Sequence, residues 1–240
     1  MRGVALRAVY PRRCPSCRGV TAPDALICPE CGKAFKLIAP PYCCKCGRHV
    51  AEGTEYCDEC ASKAHSYSFG ISVFEYDGRM KRSMSDFKFN GWRENADYYI
   101  SETLRLHSDD ITGFCPDILV PVPIHRSKRA YRGYNQAEIL AEGIGNKLGI
   151  RVVNDLLLRR KKTRAQKQLG AESRGANLEN AFICDTDRYE KEYIIGSFRR
   201  VMLVDDIYTT GSTMEGCTRA LLDAGVCQVG ILSIAAGGNI

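Results

Sequence analysis

Apolar residues recur along this chain with two periods. From residue 66 onward, short apolar runs take turns with 3.6-period faces. Tyr67, Phe69, Ile71, Val73 and Phe74 alternate loosely with small or polar neighbours and predict a strand that Asp77-Gly78 ends. Met80, Met84 and Phe87 follow at helical spacing up to Lys88 and Asn90-Gly91, and Trp92 opens a further helix through Ile100, Leu104 and Leu106. Residues 117–122, bounded by Pro116 and Pro123, predict a second strand. Ala137, Leu140, Ala141, Ile144 and Leu148 then line one face of a helix that Gly149 stops, and Val152 and Val153 begin another strand. Val201 to Val204 is a four-residue apolar run, too short for an independent helix, and Met214, Cys217, Leu221 and Ala224 follow at helical spacing before Gly225. Apolar strands in turn with amphipathic helices predict an α/β fold whose parallel sheet is covered on both faces.

Two stretches break this pattern. Residues 1–65 contain too few apolar positions to form a core. Between 159 and 200 the chain is poor in apolar residues and carries Arg159, Arg160, Lys161, Lys162, Arg164, Lys167 and Arg174. Like charges at that density repel unless an anion joins them, so this segment reads as a lid or binding loop for a pyrophosphate or a nucleic-acid backbone.

Composition fits one full core plus a small module: 240 residues, 45% hydrophobic and 26% charged. The division is expected at 1–65 and 66–240. A net charge of +6 is mildly basic, compatible with phosphate-bearing ligands. No apolar run approaches the roughly 18 residues that span a bilayer, and the basic N-terminus lacks a secretory apolar segment. A cytoplasmic protein without membrane insertion is expected.

The cysteines explain how residues 1–65 fold without a core. Cys14 and Cys17, then Cys28 and Cys31, recur as Cys43 and Cys46, then Cys57 and Cys60, each at an offset of 29 residues. A Cys-x2-Cys turn presents two thiolates to one side of a metal, and two such turns close a tetrahedral zinc site. Two structural zinc ions are expected, and the metal supplies the folding energy. Ligation could be sequential or cross-braced, and the clean repeat favours sequential. Gly32 and Gly47 are expected to turn the chain beneath each ion. Cys44 is a bystander, while His49 and His65 read as exposed side chains. Cys115, Cys184, Cys217 and Cys227 read as reduced, partly buried thiols. Arg12, Arg13, Arg18, Lys33, Lys36, Lys45 and Arg48 give the module a positive cast that could meet nucleic acid.

The candidate chemistry lies at VMLVDDIYTTGST, residues 201–213. Asp205 and Asp206 sit where the apolar strand emerges, and Thr209, Thr210, Gly211, Ser212 and Thr213 open the next helix. Free N–H groups at a helix start, hydroxyls and a glycine suit a phosphate, and the two carboxylates suit sugar hydroxyls or a magnesium-bound ligand. The stretch is not a P-loop, because the Gly-Lys-Ser/Thr triplet is missing. After the strand at 117–122, a basic loop with Arg126, Lys128, Arg129 and Arg132 lies where ligands bind in parallel α/β sheets and could face a pyrophosphate. Lys88 is a further candidate phosphate contact. His125 is not assigned as a general base. An acceptor base would need an aromatic platform, for which Tyr208 is the nearest candidate.

The 201–213 stretch resembles the motif of type I phosphoribosyltransferases, which bind 5-phosphoribosyl-1-pyrophosphate (PRPP). Together with the Cys-x2-Cys module, VPVPIHRSKRAYRGYNQAEILA at 120–141 and TRAQKQLGAESRGANLENAF at 163–182, it makes the chain resemble the ComF family, phosphoribosyltransferase-like proteins linked to DNA uptake in natural competence. The resemblance implies a type I phosphoribosyltransferase-like sheet with a hood and an N-terminal double zinc-ribbon module. It also implies that Asp205 and Asp206 contact ribose hydroxyls, 209–213 the 5-phosphate and 126–132 the pyrophosphate, with PRPP and magnesium as ligands. The cysteine module is doubled here, a departure from the commoner single form. Two functions follow: a PRPP-dependent pentosyl transferase acting in DNA uptake, in which Asp205 and Asp206 serve the reaction, or a non-catalytic PRPP-binding scaffold that meets single-stranded DNA or a competence helicase through its zinc module and basic loop.

Native mass spectrometry is expected to find two zinc ions per chain; one or none contradicts the repeat argument.

Overall fold

The computed structural model describes residues 11–159, 181–185, 188–189 and 197–237. Elements run in the order α1 (Pro29–Gly32), α2 (Asp58–Ser62), β1 (Phe69–Glu75), α3 (Gly78–Phe89), α4 (Asn95–Phe114), β2 (Ile118–Pro121), α5 (Arg126–Arg132), α6 (Gln136–Leu148), β3 (Arg151–Val152), β4 (Leu157–Arg159), β5 (Phe182–Cys184), β6 (Arg200–Tyr208), α7 (Ser212–Asp223) and β7 (Gln228–Ala236). Five strands form a parallel sheet in the order β1-β7-β6-β2-β3, and β4 and β5 pair antiparallel in a separate two-stranded sheet.

The sheet is buried on both faces, as its apolar strands require. On one face Met80, Met84, Phe87, Tyr99, Ile111, Leu140 and Ile144 bring α3, α4 and α6 against Met202, Val204 and Leu232. On the other, Met214, Cys217 and Leu221 of α7 pack against Val201 and Leu203, together with Tyr67, Cys43 and Cys46 of the cysteine module and the β4–β5 pair. Helix ends follow their local chemistry: the Asp77 carboxylate accepts from Arg79 N and Met80 N at 2.9 and 2.8 Å to cap α3, and Gly149 in the left-handed region ends α6.

Several expectations change. The central strand is nine residues long, so Asp205 and Asp206 lie within β6 rather than beyond it. The paired strand β7 carries the ladder on, through Asp205↔Ser233 to Tyr208↔Ala236. The basic segment is helix α5 rather than a loop, with its start capped by the His125 ring and its end set by Gly133 at φ 79°; seven residues are too few to show a periodic face. Trp92 lies in a turn, bonded from Asn95 N at 3.2 Å, and the helix begins at Asn95. Cys184 and Cys217 are buried as expected. Cys115 and Cys227 are exposed instead, because one ends α4 in a left-handed cap and the other lies in the turn before β7. Gly32 lies within α1, and the left-handed residue that matches Gly47 (φ 73°) in the first module is Arg18 (φ 66°).

The second module meets β1 backbone to backbone. A Cβ on Gly70 would overlap the Lys45 carbonyl, and one on Gly47 would overlap Ser72 N. The Ser72 hydroxyl donates to Cys46 O at 2.7 Å across the same contact. Replacing Gly70 with alanine is therefore expected to destabilise the protein by about 1–3 kcal/mol, read as a lower denaturant midpoint at unchanged zinc content, whereas Gly113→Ala, where the space is open and φ is not positive, leaves contacts intact.

Candidate functional site

Ligand crevices in parallel α/β sheets form where consecutive crossovers leave neighbouring strands in opposite directions. Here β6 leads through α7 to β7 on one side, while its neighbour β2 leads through α6 to β3 on the other. The two helices cover opposite faces. The switch point therefore lies between the carboxyl ends of β6 and β2, bringing together residues 205–213 and 122–132 from distant parts of the chain.

At this point Asp206 is buried and accepts from Lys88 Nζ at 2.9 Å, so the lysine at the end of α3 reaches the acidic pair. Asp205 Oδ1 accepts from Asp206 N at 2.8 Å. Burial, and then the neighbouring Asp206 charge, push the Asp205 carboxyl up to about 7. Cations gather on the other side. Lys128 is held below its usual range by burial and by Arg132, Arg159 and Lys88, with Asp206 acting in the opposite sense. Arg132 bonds Gln136 at 2.8 Å and lies over the Phe89 ring. Arg129 is turned away from this cluster onto Glu138. Arg126 is exposed at the start of α5. Arg160, Lys161, Lys162, Arg164, Lys167 and Arg174 lie outside the described residues.

The 209–213 loop ends as a helix start without a side-chain cap: Gly211 at φ 72° is the N-cap of α7, and no side chain bonds its first N–H groups. Such a start leaves several amides to an anion. Thr210 and Ser212 place their hydroxyls 3.0 Å apart beside it. The one acid in the first turn, Glu215, is turned under the loop, where it accepts from Ser66 N and Oγ at 2.8 and 2.6 Å and from Arg219 at 2.7 Å. Although burial acts to raise it, these donors and nearby His65 hold Glu215 down at about 2.

Three side chains change role from the sequence reading. His65 is not exposed: its side chain retains 4% of its surface, stacked on Tyr67 at 4.8 Å and 3.7 Å from Glu215. Tyr208 is fully buried, with its hydroxyl 2.8 Å from that of Tyr67, so it forms the floor of the loop rather than an acceptor platform. Arg48, read as a surface cation, is buried; it bonds Glu59 at 2.8 Å and the Thr209 carbonyl, and lies over the Tyr208 ring. No local signal reveals these three, because their partners are far away in sequence. Other cations of the module also make contacts: Arg18 bonds both Asp86 oxygens at 2.9 Å, Arg12 reaches Asp97, Lys45 bonds Tyr67 O at 2.6 Å, and Lys36 pairs with Glu75. These contacts help dock the module, while Arg13, Arg18, Lys33 and Lys36 stay exposed and keep its surface positive.

The cysteines form two separate groups, Cys14, Cys17, Cys28 and Cys31, and Cys43, Cys46, Cys57 and Cys60, within each of which all four Sγ atoms lie within 4.8 Å of one another. The Sγ–Sγ separations are 3.8 Å for Cys17–Cys28, 3.7 Å for Cys14–Cys28 and 3.7 Å for Cys46–Cys57. A tetrahedron of Zn–S bonds of about 2.3 Å has edges of about 3.8 Å, whereas a disulfide would bring two sulfurs to about 2.05 Å. The groups thus fit structural zinc, ligated sequentially. Cys44 belongs to neither. The paired carboxylates are hard oxygen donors of the kind magnesium takes, and a cation between them would offset the burial and the Asp206 charge that raise Asp205. Among the described residues, no helix is long and apolar enough to cross a membrane.

A family model described as double zinc ribbon domain matches residues 5–61, and one described as phosphoribosyl transferase domain matches residues 130–239. The chain is 30% identical over 236 residues to Competence protein F of Haemophilus influenzae, covering 93% of this chain and 96% of that one. It is 29% identical over 215 residues to Competence protein ComFC of Bacillus subtilis, covering 85% and 80%. A third relative, DNA utilization protein YhgH of Escherichia coli, is 29% identical over 220 residues, covering 90% and 86%.

The acidic pair carries a pH signature. Asp205 takes up its proton near 7 in the folded protein and near 3.8 in the unfolded chain. The contribution of Asp205 to stability is therefore largest in acid and falls as pH rises from about 4 to about 7. Asp205→Asn imitates the protonated form. Without magnesium, it is expected to raise stability above pH 7 by on the order of 1–3 kcal/mol, with the gain shrinking towards pH 4 in thermal unfolding.

Proposed function

Since the chain belongs to the ComF family of competence proteins, we propose that it binds PRPP with magnesium at the switch point between β6 and β2 and serves the uptake and use of DNA. The observation that carries this reading is the juxtaposition of a helix start without a side-chain cap, a pair of carboxylates and a cluster of cations at the carboxyl ends of β6 and β2. Each matches one part of the ligand. The amides and hydroxyls at 209–213 take the 5-phosphate. Asp205 and Asp206 take the ribose hydroxyls and the magnesium ion, which neutralises charge on the pyrophosphate. Lys128, Arg132 and Arg159 face the pyrophosphate.

Lys88 has two uses in this scheme. Its ammonium neutralises Asp206 at 2.9 Å. With magnesium or ribose held by the carboxylates, the Lys88 ammonium would be free to meet the phosphate oxygens. Stabilising a departing pyrophosphate is mainly electrostatic, so transfer needs no dedicated general base. The names of the relatives point to DNA handling as the setting.

A second reading, PRPP binding without transfer to a base, is favoured by the burial of Tyr208, which removes the candidate platform for an acceptor. Contact between DNA and the zinc module keeps the support of four exposed cations, Arg13, Arg18, Lys33 and Lys36. A pyrophosphate-release assay with PRPP across bases and amines separates transfer from binding alone.

Calorimetry tests the shared premise. PRPP binding is expected to require magnesium, to tighten as pH rises through about 7 while Asp205 loses its proton, and to vanish in the Asp205→Asn, Asp206→Asn double variant. Unchanged binding in that variant would sink the assignment.

A further inference from the structure

We infer that Arg48 is a positioning residue through which the second cysteine cluster sets the shape of the 209–213 loop. The inference rests on the reading of that loop as the 5-phosphate site and assigns a specific task to one half of the zinc module.

Arg48 lies two residues beyond Cys46, inside the segment that the second cluster closes. Its backbone is fixed there, since Arg48 O accepts from Cys43 N at 2.7 Å. The guanidinium spans two bodies. One nitrogen donates to Glu59, which sits between Cys57 and Cys60, and another donates to the Thr209 carbonyl, while the group lies 5.0 Å from the Tyr208 ring centroid. A planar fork meets these demands together, and a lysine ammonium cannot.

The target of this bond is the first residue after β6. A trans peptide unit is planar, and its C=O and N–H point in opposite directions. Drawing the Thr209 carbonyl towards the zinc cluster therefore turns the Thr210 N–H away from it. The same lobe supports the rest of the loop. His65 lies under Gly211, where a Cβ would come within 3.0 Å of its Cε1; Tyr67 bonds Tyr208; and Ser66 holds Glu215 clear of the helix start. The first cluster reaches a different part of the protein, through Arg18 to Asp86 and Arg12 to Asp97. The duplicated module is thus unequal in function, and the 5-phosphate half of the site depends on the second cluster.

The test separates the two halves of the ligand. Ribose 5-phosphate, pyrophosphate and PRPP are titrated into the full chain with zinc at two per chain, as wild type, Arg48→Ala, Arg48→Lys and Glu59→Gln. In Arg48→Ala, ribose 5-phosphate and PRPP are expected to weaken by roughly tenfold or more, with pyrophosphate affinity unchanged. Arg48→Lys recovers only part of the loss. Faster amide hydrogen exchange is expected at 207–213, with unchanged protection in β2 and β7. Equal affinities for ribose 5-phosphate in wild type and Arg48→Ala overturn the inference, and so does an equal loss for both ribose 5-phosphate and pyrophosphate. If Arg48→Ala loses zinc, Glu59→Gln carries the comparison, and a normal affinity there is the contrary result. If the wild type binds neither PRPP nor ribose 5-phosphate, the reading of the loop fails. Exchange at 207–213 then decides on Arg48 alone, and unchanged exchange overturns its positioning role.

Discussion

Two crossovers that leave adjacent parallel strands in opposite directions force a crevice between them, and everything of chemical interest here depends on that constraint. Neither α6 nor α7 can cover the space above the carboxyl ends of β2 and β6, because each has moved off to its own side. The chain fills the gap with polar groups: two aspartates, a helix start and a ring of cations. An open crevice of this kind keeps like charges close together, and the raised Asp205 carboxyl and the depressed Lys128 ammonium record the cost. A ligand carrying both anionic groups and a cation resolves both at once.

The sheet alone does not shape this crevice. Cysteine clusters brace it from two directions, one through Arg18 to the end of α3 near Lys88, the other through Arg48 to the end of β6. Small domains without a hydrophobic core borrow rigidity from metal, and here that rigidity is passed on to a neighbour. The glycine contact at Gly47 and Gly70 allows it, because only bare backbone permits the cluster to lie so close to β1. The same contact carries Arg48 inside the protein, whereas Arg18 reaches Asp86 from a position still open to solvent.

Features encoded within a few residues were legible in the sequence. The cysteine spacing, the apolar run before Asp205 and the helix after Gly211 are local, and each predicts its geometry directly. The parallel sheet was legible for the same reason, from the period of its apolar positions. What escaped reading depends on partners far along the chain: Arg48 and Thr209 are 161 residues apart, Ser66 and Glu215 149, and Arg18 and Asp86 68. His65 and Tyr208 were misplaced for this reason, since a histidine or tyrosine near a turn carries no local sign of burial. The length of β6 was underestimated because polar Asp205 and Asp206 end the hydrophobic run, although the ladder with β7 continues through them.

In the first module Cys17 is followed by Arg18 and Gly19; in the second, Cys46 is followed by Gly47 and Arg48. The same two residue types stand in reversed order, so the left-handed position falls on an arginine in one copy and on a glycine in the other. One guanidinium goes to Asp86 of α3 and the other to Glu59 and the Thr209 carbonyl. A duplication that began as symmetry thereby became a pair of parts with different addresses, and neither copy could be exchanged for the other without losing its destination.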